Sequence, residues 1–421
     1  MNVEIINTGS ELLTGSRLNT HAQWLASRLT ALGYHVTRQL AVADHGPAIQ
    51  AAVREALGRA DILLTTGGLG PTSDDLTRDL IAQLLGKTLR EDAAALENIR
   101  AFFAARNKAM PERTRVQAMI PEGAIVLPNA NGTAPGLAIE VKPNPLRAAG
   151  KTSWLVMLPG PPRELRPMFE TRVASLLREK APPETATASR LIRTTGLGES
   201  LIEERVEGPL RHLLDAGLEF SICGHPGEVE VRVTARGGGA EETARAAEEI
   251  LRAALGQSVY GGEADTLESV LVHELARRKA TVAVAESCTG GHLANRLTNV
   301  PGASNVLLAG WVTYSNAAKT KCLGVQVSTL EAHGAVSEPV AREMAEGARR
   351  ESGATYALSI TGIAGPGGGS AEKPVGTVFI GLAGPHGSQV AKMLNPYDRE
   401  TFKRVTSQQA FDLLRCHLLV R

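Results

Sequence analysis

"ADILLTTGGLGPTSDDLTRDL", Ala60 to Leu80, reads as a buried strand, a glycine loop and a helix in succession. The apolar run Ile62 to Thr65 stops at Gly67 and Gly68, and "LTRDLIAQLLG" then repeats apolar residues at helical spacing before ending at glycine. The same alternation extends outward from this stretch. Val3 to Ile6 and Trp154 to Leu158 are further buried-strand runs, and "HAQWLASRLTALG" is a second glycine-terminated helix. Strands alternating with helices predict an α/β fold, a parallel or mostly parallel sheet covered by helices. "VKPNPLRAAGKTS", Val141 to Ser153, breaks the pattern and predicts an exposed loop.

A chain of 421 residues is too long for one core, so a multidomain α/β protein is expected. The first domain is expected over residues 1–178. "EKAPPETATAS" follows as a linker and opens a small α+β domain over 179–262. That domain holds the helix "ESLIEERVEGPL", a β-hairpin around "GHPG" and the helix "AEETARAAEEILRAALG". "GGEADT" is a second hinge, and an α/β domain follows over 263–421. The net charge of +1 gives no general attraction to nucleic acid or anionic membrane. The four cysteines lie far apart without a CxxC pair, which argues against a zinc site or a disulfide framework. With no basic leader and no long apolar stretch, a cytoplasmic protein without membrane association is expected. A homodimer is the expected assembly on general grounds.

The glycine loop has its own chemistry. Gly67, Gly68 and Gly70 let the backbone approach a ligand closely, and the helix start that follows suits phosphate. There is no Walker lysine and no GxGxxG, so P-loop and Rossmann readings both lose. Asp74 and Asp75 sit where a helix cap is expected; two adjacent acids exceed a cap's need, and one could hold a divalent cation beside a pyrophosphate. "PGPPREL" reads as a rigid pocket wall, with Arg163 on the surface.

Four motifs in order, "NTGSELLTG", "TTGGLGPTSDDLT", "NGTAPG" and "LPGPPRELRPMF", resemble the molybdopterin-binding domain in the version that opens CinA (competence/damage-inducible protein A) family members. The resemblance implies metal-dependent hydrolysis of ADP-ribose at its pyrophosphate, with a divalent ion, magnesium or cobalt, as cofactor. It places Asp75, Asp44 and Glu11 at the metal, and Asn19 with Gly67, Gly68 and Gly70 at the substrate. Molybdopterin adenylylation is the alternative for this domain. The resemblance also makes the middle domain KH-like. "GHPG", Gly224 to Gly227, joins two strands and is followed by Glu228 and Glu230, so it reads as a hairpin turn and not as an RNA clamp.

In the third domain "KATVAVAES" reads as a buried strand ending at Glu286-Ser287, and "CTGGHLANRLTNV" opens a helix. Ser287 and Cys288 therefore both stand at the carboxyl edge of a sheet, followed by amides able to donate to an oxyanion. Cys288 reads either as a small buried hydrophobe or as a thiol paired with His292 four residues on. Ser287 needs a base, and "AESCTGG" is not the G-x-S-x-G elbow. A neutral lysine can serve. Lys319 lies in the first turn of the helix "SNAAKTKCLG", whose positive end disfavours an ammonium; Lys321 faces another way, toward solvent. Tyr314 precedes that helix, where its hydroxyl could relay a proton. Thr361 stands at the end of the strand in "YALSITGIAGPGGG", and the final helix starts with Asp398 as cap, then Arg399, with Arg404 beyond, as cations for an anionic substrate.

"AESCTGG", the Tyr314…Lys319 pair and "TGIAGP" resemble the CinA C-terminal domain, nicotinamide-nucleotide amidase. The resemblance implies a serine–lysine amidohydrolase with Ser287 as nucleophile and Lys319 as base. Tyr314 and Thr361 assist, Gly290, Gly291, Gly362 and Arg399 bind substrate, and this domain needs no cofactor. The expected partners are small nucleotides, nicotinamide mononucleotide and ADP-ribose. The rival reading is a non-catalytic protein that binds DNA-uptake or repair partners.

Overall fold

The computed structural model describes residues 1–420, the side chain of Ala149 excepted. The chain forms two compact units. The first spans Met1–Ala188 with Arg236–Ala240, and the second spans Ser189–Ala235 with Glu241–Arg421.

In the first unit the strands are β1 (Val3–Thr8), β2 (Val36–Val42), β3 (Ile62–Thr66), the short pair β4 (Leu89–Glu91) and β5 (Met119–Pro121), then β6 (Ile125–Leu127), β7 (Gly136–Val141) and β8 (Ser153–Leu158). Six of them form one sheet in the order β2-β1-β3-β8-β7-β6. The neighbours from β2 to β8 pair parallel, and β7 and β6 add an antiparallel edge. Side chains alternate across this sheet and so feed two cores. Ile5, Leu64 and Val156 pack with Leu25 and Leu29 on one face; Ile6, Leu63 and Leu155 pack with Ile49 and Val53 on the other. Each such fully buried aliphatic contributes about 1.5–3 kcal/mol.

The segment 141–153 is less exposed than its composition suggests. Asn144 is fully buried, and its Nδ2 donates to Leu57 O at 2.8 Å and to Ser153 Oγ at 2.9 Å. Arg147 pairs with Asp61 at 2.8 Å. A polar side chain so deeply placed has to be matched, and these bonds pin the loop to the sheet.

The second unit holds β9 (Thr187–Thr195), β10 (Glu219–His225), β11 (Glu228–Arg236) and β12 (Val259–Gly261), a four-stranded sheet ordered β10-β11-β9-β12. β10 and β11 form the expected hairpin, with His225 opposite Glu228. The linker is shorter than expected, because β9 already starts at Thr187. "GGEADT" is an ordered turn: Asp265 accepts from Gly262 N at 2.8 Å, and Thr266 and Ser269 cap the next helix reciprocally.

The remaining strands, β13 (Val282–Glu286), β14 (Leu307–Val312), β15 (Tyr356–Gly362), β16 (Thr377–Gly384) and β17 (Gly387–Leu394), form a sheet ordered β14-β13-β15-β16-β17. Its first three strands are parallel and its last two antiparallel. Val282, Val284, Leu358 and Ile360 share a core with Phe402, Phe411 and Leu414 of the C-terminal helix, Arg399–Leu419. On the other face Ala283, Ala285 and Ala357 meet Val340, Met344 and Ala348 of the helix Glu338–Ser352. A Cβ at Gly347 of that helix would collide with the Leu323 carbonyl, so glycine there lets the helix Asn316–Leu323 seat. Among the described residues no helix is long and apolar enough to cross a membrane.

Candidate functional site

Ser287 stands one residue past β13, its amide bonded to Ile360 O at 3.0 Å. The helix that follows starts only at His292. Its first turn is capped by the carboxylate just before the serine. Glu286 is 1 % exposed and accepts from Gly291 N at 3.0 Å, Leu293 N at 3.1 Å and Ala294 N at 3.0 Å. A carboxylate at a helix N-terminus is favourable, and here it also folds the Ser287–Gly291 loop back upon itself.

Lys319 reaches this loop from the helix Asn316–Leu323, whose cap is Ser315 accepting from Ala318 N at 3.1 Å. Its side chain is 1 % exposed, and burial lowers its pKa. Nζ lies 3.1 Å from Ser287 Oγ, 2.8 Å from Thr313 O and 3.5 Å from Tyr314 O. A neutral amine has two N–H donors and one lone pair. In that form the two carbonyls would match the donors and the lone pair would be left for the serine hydroxyl.

Other expected residues take different positions. Tyr314 is 61 % exposed, and its hydroxyl accepts from Arg399 Nη2 at 2.9 Å, not from the serine–lysine pair. Arg399 also donates to Gly365 O at 3.0 Å, so it ties the 361–369 loop to the tyrosine. Thr361 is buried, with its hydroxyl given to Ala335 O at 2.7 Å, which makes it a brace for that loop. Gly290 N donates to Ser287 O at 3.1 Å and Gly291 N to Glu286, so both amides are engaged within the loop itself. Gly362 is a packing glycine: a Cβ there would lie 2.9 Å from Thr377 O and Val378 Cβ. The amides of Cys288 and Thr289 follow Ser287 directly in this loop, ahead of the two glycines. Burial pushes the Cys288 thiol up to about 12, and His292 Nδ1 pairs with Ser407 Oγ at 2.8 Å, so no Cys–His pair forms. Arg404 lies 3.8 Å from Glu228 of the hairpin, and Lys321 is exposed as expected.

In the first unit a pocket of about 500 Å³ gathers Glu11, Asn19, Asp44, Gly67, Gly68, Gly70, Asp74 and Asp75. Gly67 and Gly68 have φ of 94° and 66°, a region glycine adopts without strain, and a Cβ at Gly68 would strike Thr77. Neither aspartate caps the helix Thr77–Leu84, whose cap position is Leu76. Asp75 Oδ2 instead accepts from Thr72 N at 2.9 Å and Thr72 Oγ1 at 2.5 Å. Asp44 Oδ2 accepts from Ser10 N at 2.8 Å. Asn19 caps its helix through Ala22 N at 3.1 Å and donates to Asn7 Oδ1 at 3.1 Å. Arg163 is 81 % exposed on its side chain. The expected divalent ion is not matched by a ready donor set: among the described residues no three His, Cys, Asp or Glu side chains stand close enough to hold one. Glu11, Asp44 and Asp75 line one pocket.

Three family models cover nearly the whole chain: "Probable molybdopterin binding domain" over residues 4–179, "Damage-inducible protein CinA KH domain" over 189–261 and "CinA C-terminal domain" over 264–418. A CinA-like protein of Akkermansia muciniphila is 45 % identical over 97 % of this chain and 95 % of its own. The chain belongs to the CinA family. A CinA-like protein of Desulfovibrio desulfuricans is 41 % identical over 99 % of this chain and 96 % of its own. The crystal structure of competence/damage inducible protein CihA from Agrobacterium tumefaciens covers 36 % of this chain and 92 % of its own, with 41 % identity and a TM-score of 0.34.

Within this CinA chain two contributors escaped the sequence reading. Glu286 sits inside the "AESCTGG" motif, but its role as a cap needs the loop to turn back, which spacing does not reveal. His21 lines the first pocket and donates from Nε2 to Gly160 O at 2.5 Å; burial lowers its pKa. A histidine two residues past the Asn19 cap was the available signal.

Proposed function

We propose that the second unit hydrolyses the carboxamide of nicotinamide mononucleotide to nicotinate mononucleotide and ammonia. The distance of 3.1 Å between a buried lysine amine and Ser287 Oγ carries this reading. Ser287 attacks the amide carbon as Lys319 takes its proton. Lys319 then returns the proton to the departing amine, which leaves as ammonia. Water hydrolyses the acyl-serine with the same lysine as base. The amides of Cys288 and Thr289, next in the loop after Ser287, are assigned to the tetrahedral oxyanion. Arg399, at the mouth, meets the substrate's phosphate while holding Tyr314 and Gly365.

For the first unit the proposal is pyrophosphate cleavage of ADP-ribose. It is supported by the glycine loop and by the acids around one pocket. Molybdopterin adenylylation is the competing reaction for that pocket. Mass-spectrometric product analysis with nicotinamide mononucleotide, ADP-ribose and molybdopterin, each with and without divalent ions, separates these readings. Absence of nicotinate mononucleotide under all conditions would end the amidase proposal, and failure to form any product would favour the binding-protein reading.

A further inference from the structure

A cavity of about 640 Å³ opens among β9, the β10–β11 hairpin, the helix His292–Thr298 and the C-terminal helix. Ser287, Lys319 and Arg399 are not among its lining residues. Two of its donors are buried and unmatched: Arg193 Nε and Arg296 Nη1 have no hydrogen-bond partner among the described residues. Each guanidinium is anchored elsewhere. Arg193 Nη1 holds Glu230 at 2.8 Å, and Arg296 Nη2 holds Glu268 at 2.6 Å and Gln408 at 2.7 Å. The cavity's acids are matched in turn, Glu228 by Tyr260 at 2.6 Å and Glu268 by Arg296, while Glu400 is exposed. Half-buried Lys403 adds positive charge to the lining, while exposed Arg404 lies 3.8 Å from Glu228.

An unmatched buried N–H is destabilising. Two of them in one cavity suit an acceptor-rich guest, and planar guanidinium forks suit phosphate oxygens. His292 supplies the opposite polarity. Ser407 gives its single hydroxyl proton to Lys403 O at 2.8 Å, so His292 Nδ1–H is the donor in the 2.8 Å bond to Ser407 Oγ. Its Nε2 is then a bare acceptor; burial, Arg296 and Lys403 all favour the neutral ring. The volume exceeds that of a lone phosphate many times over, since one water occupies about 30 Å³.

We propose that this cavity binds a phosphate monoester carrying free hydroxyl groups, a sugar phosphate or mononucleotide. Its phosphate lies between Arg193 and Arg296, and a hydroxyl donates to His292 Nε2. The full chain is titrated calorimetrically with AMP and, separately, with inorganic phosphate. The Arg399→Ala background removes the competing cation of the amidase site. There, Arg193→Gln and Lys403→Gln are each expected to weaken one AMP-binding event about tenfold, the loss of one charge-assisted contact. Lys403→Gln changes a half-buried residue on the helix flank and keeps the test valid if Arg193→Gln fails to fold. Crystals soaked in AMP are expected to show the phosphate within hydrogen-bond reach of both guanidiniums. Unchanged AMP affinity in both variants, or density confined to the glycine loop and Arg399, overturns the proposal. Equal affinity for inorganic phosphate overturns its ester part.

Discussion

Ser287 and Lys319 are 32 positions apart in sequence and 3.1 Å apart in space. Ser287→Ala is expected to lower ammonia release from nicotinamide mononucleotide by at least about 10³-fold, because the nucleophile is gone and only binding remains. Cys288→Ala is expected to keep most of it, since a thiol pushed up to about 12 is not ionised at neutral pH. Steady-state ammonia assays on both variants check this; equal losses would hand the chemistry to the thiol. Lys319 gives a pH signature. Its folded pKa lies below the usual lysine value of about 10.4, so activity rises with pH through that lowered value as the amine sheds its proton. For stability the sign is the same: between the two values the unfolded chain binds more protons, so the folded state gains as pH rises. Lys319→Met removes this dependence. Urea melts are expected to show the variant's relative stability falling toward a constant as pH climbs to about 10.4. The pair was legible in the sequence because a strand tip and a helix start are local signals. The hydroxyl partners of Tyr314 and Thr361, Arg399 and Ala335, come from distant segments, so those contacts were not legible in the sequence.

The element that orients the serine is a helix capped by its predecessor residue. Glu286→Ala is expected to destabilise the second unit by about 2–4 kcal/mol, the loss of three charge-assisted bonds to main-chain amides. It is also expected to depress kcat more than KM, because the loop carrying Ser287 loosens. Urea titration and steady-state kinetics on one preparation read both, and unchanged stability would refute the capping role. At the other end of the site Asp398 caps the C-terminal helix, accepting from Glu400 N at 3.0 Å and Thr401 N at 3.1 Å. Asp398→Ala is expected to remove about 1 kcal/mol and to raise KM through Arg399. This cap was visible in "YDRETFKRV". The Glu286 cap was not, because the helix starts four residues after Cys288, where the sequence opened it, and only the folded loop brings those amides to the carboxylate.

At the scale of the whole chain, the two proposed reactions fall to different compact units. Asp75→Ala is expected to abolish AMP formation from ADP-ribose and leave ammonia release unchanged. A joint loss in folded protein would contradict two independent sites. The alternation of strands and helices made both α/β sheets legible. The antiparallel edges β6–β7 and β16–β17 were not, because a buried strand looks alike in either direction. The middle region packs within the second unit. Its hairpin turn lies on the C-terminal helix, where a Cβ at Gly227 would be 3.1 Å from Gln408 Cβ and 3.5 Å from Val405 Cα. β12 contributes Tyr260 to the same core as Leu267 and Phe411.

Severing the chain at Glu263 would carry that tyrosine away with the discarded part. The remainder would inherit a ring-sized void and a bare flank along its last helix, and it would seek cover by clumping with its own kind.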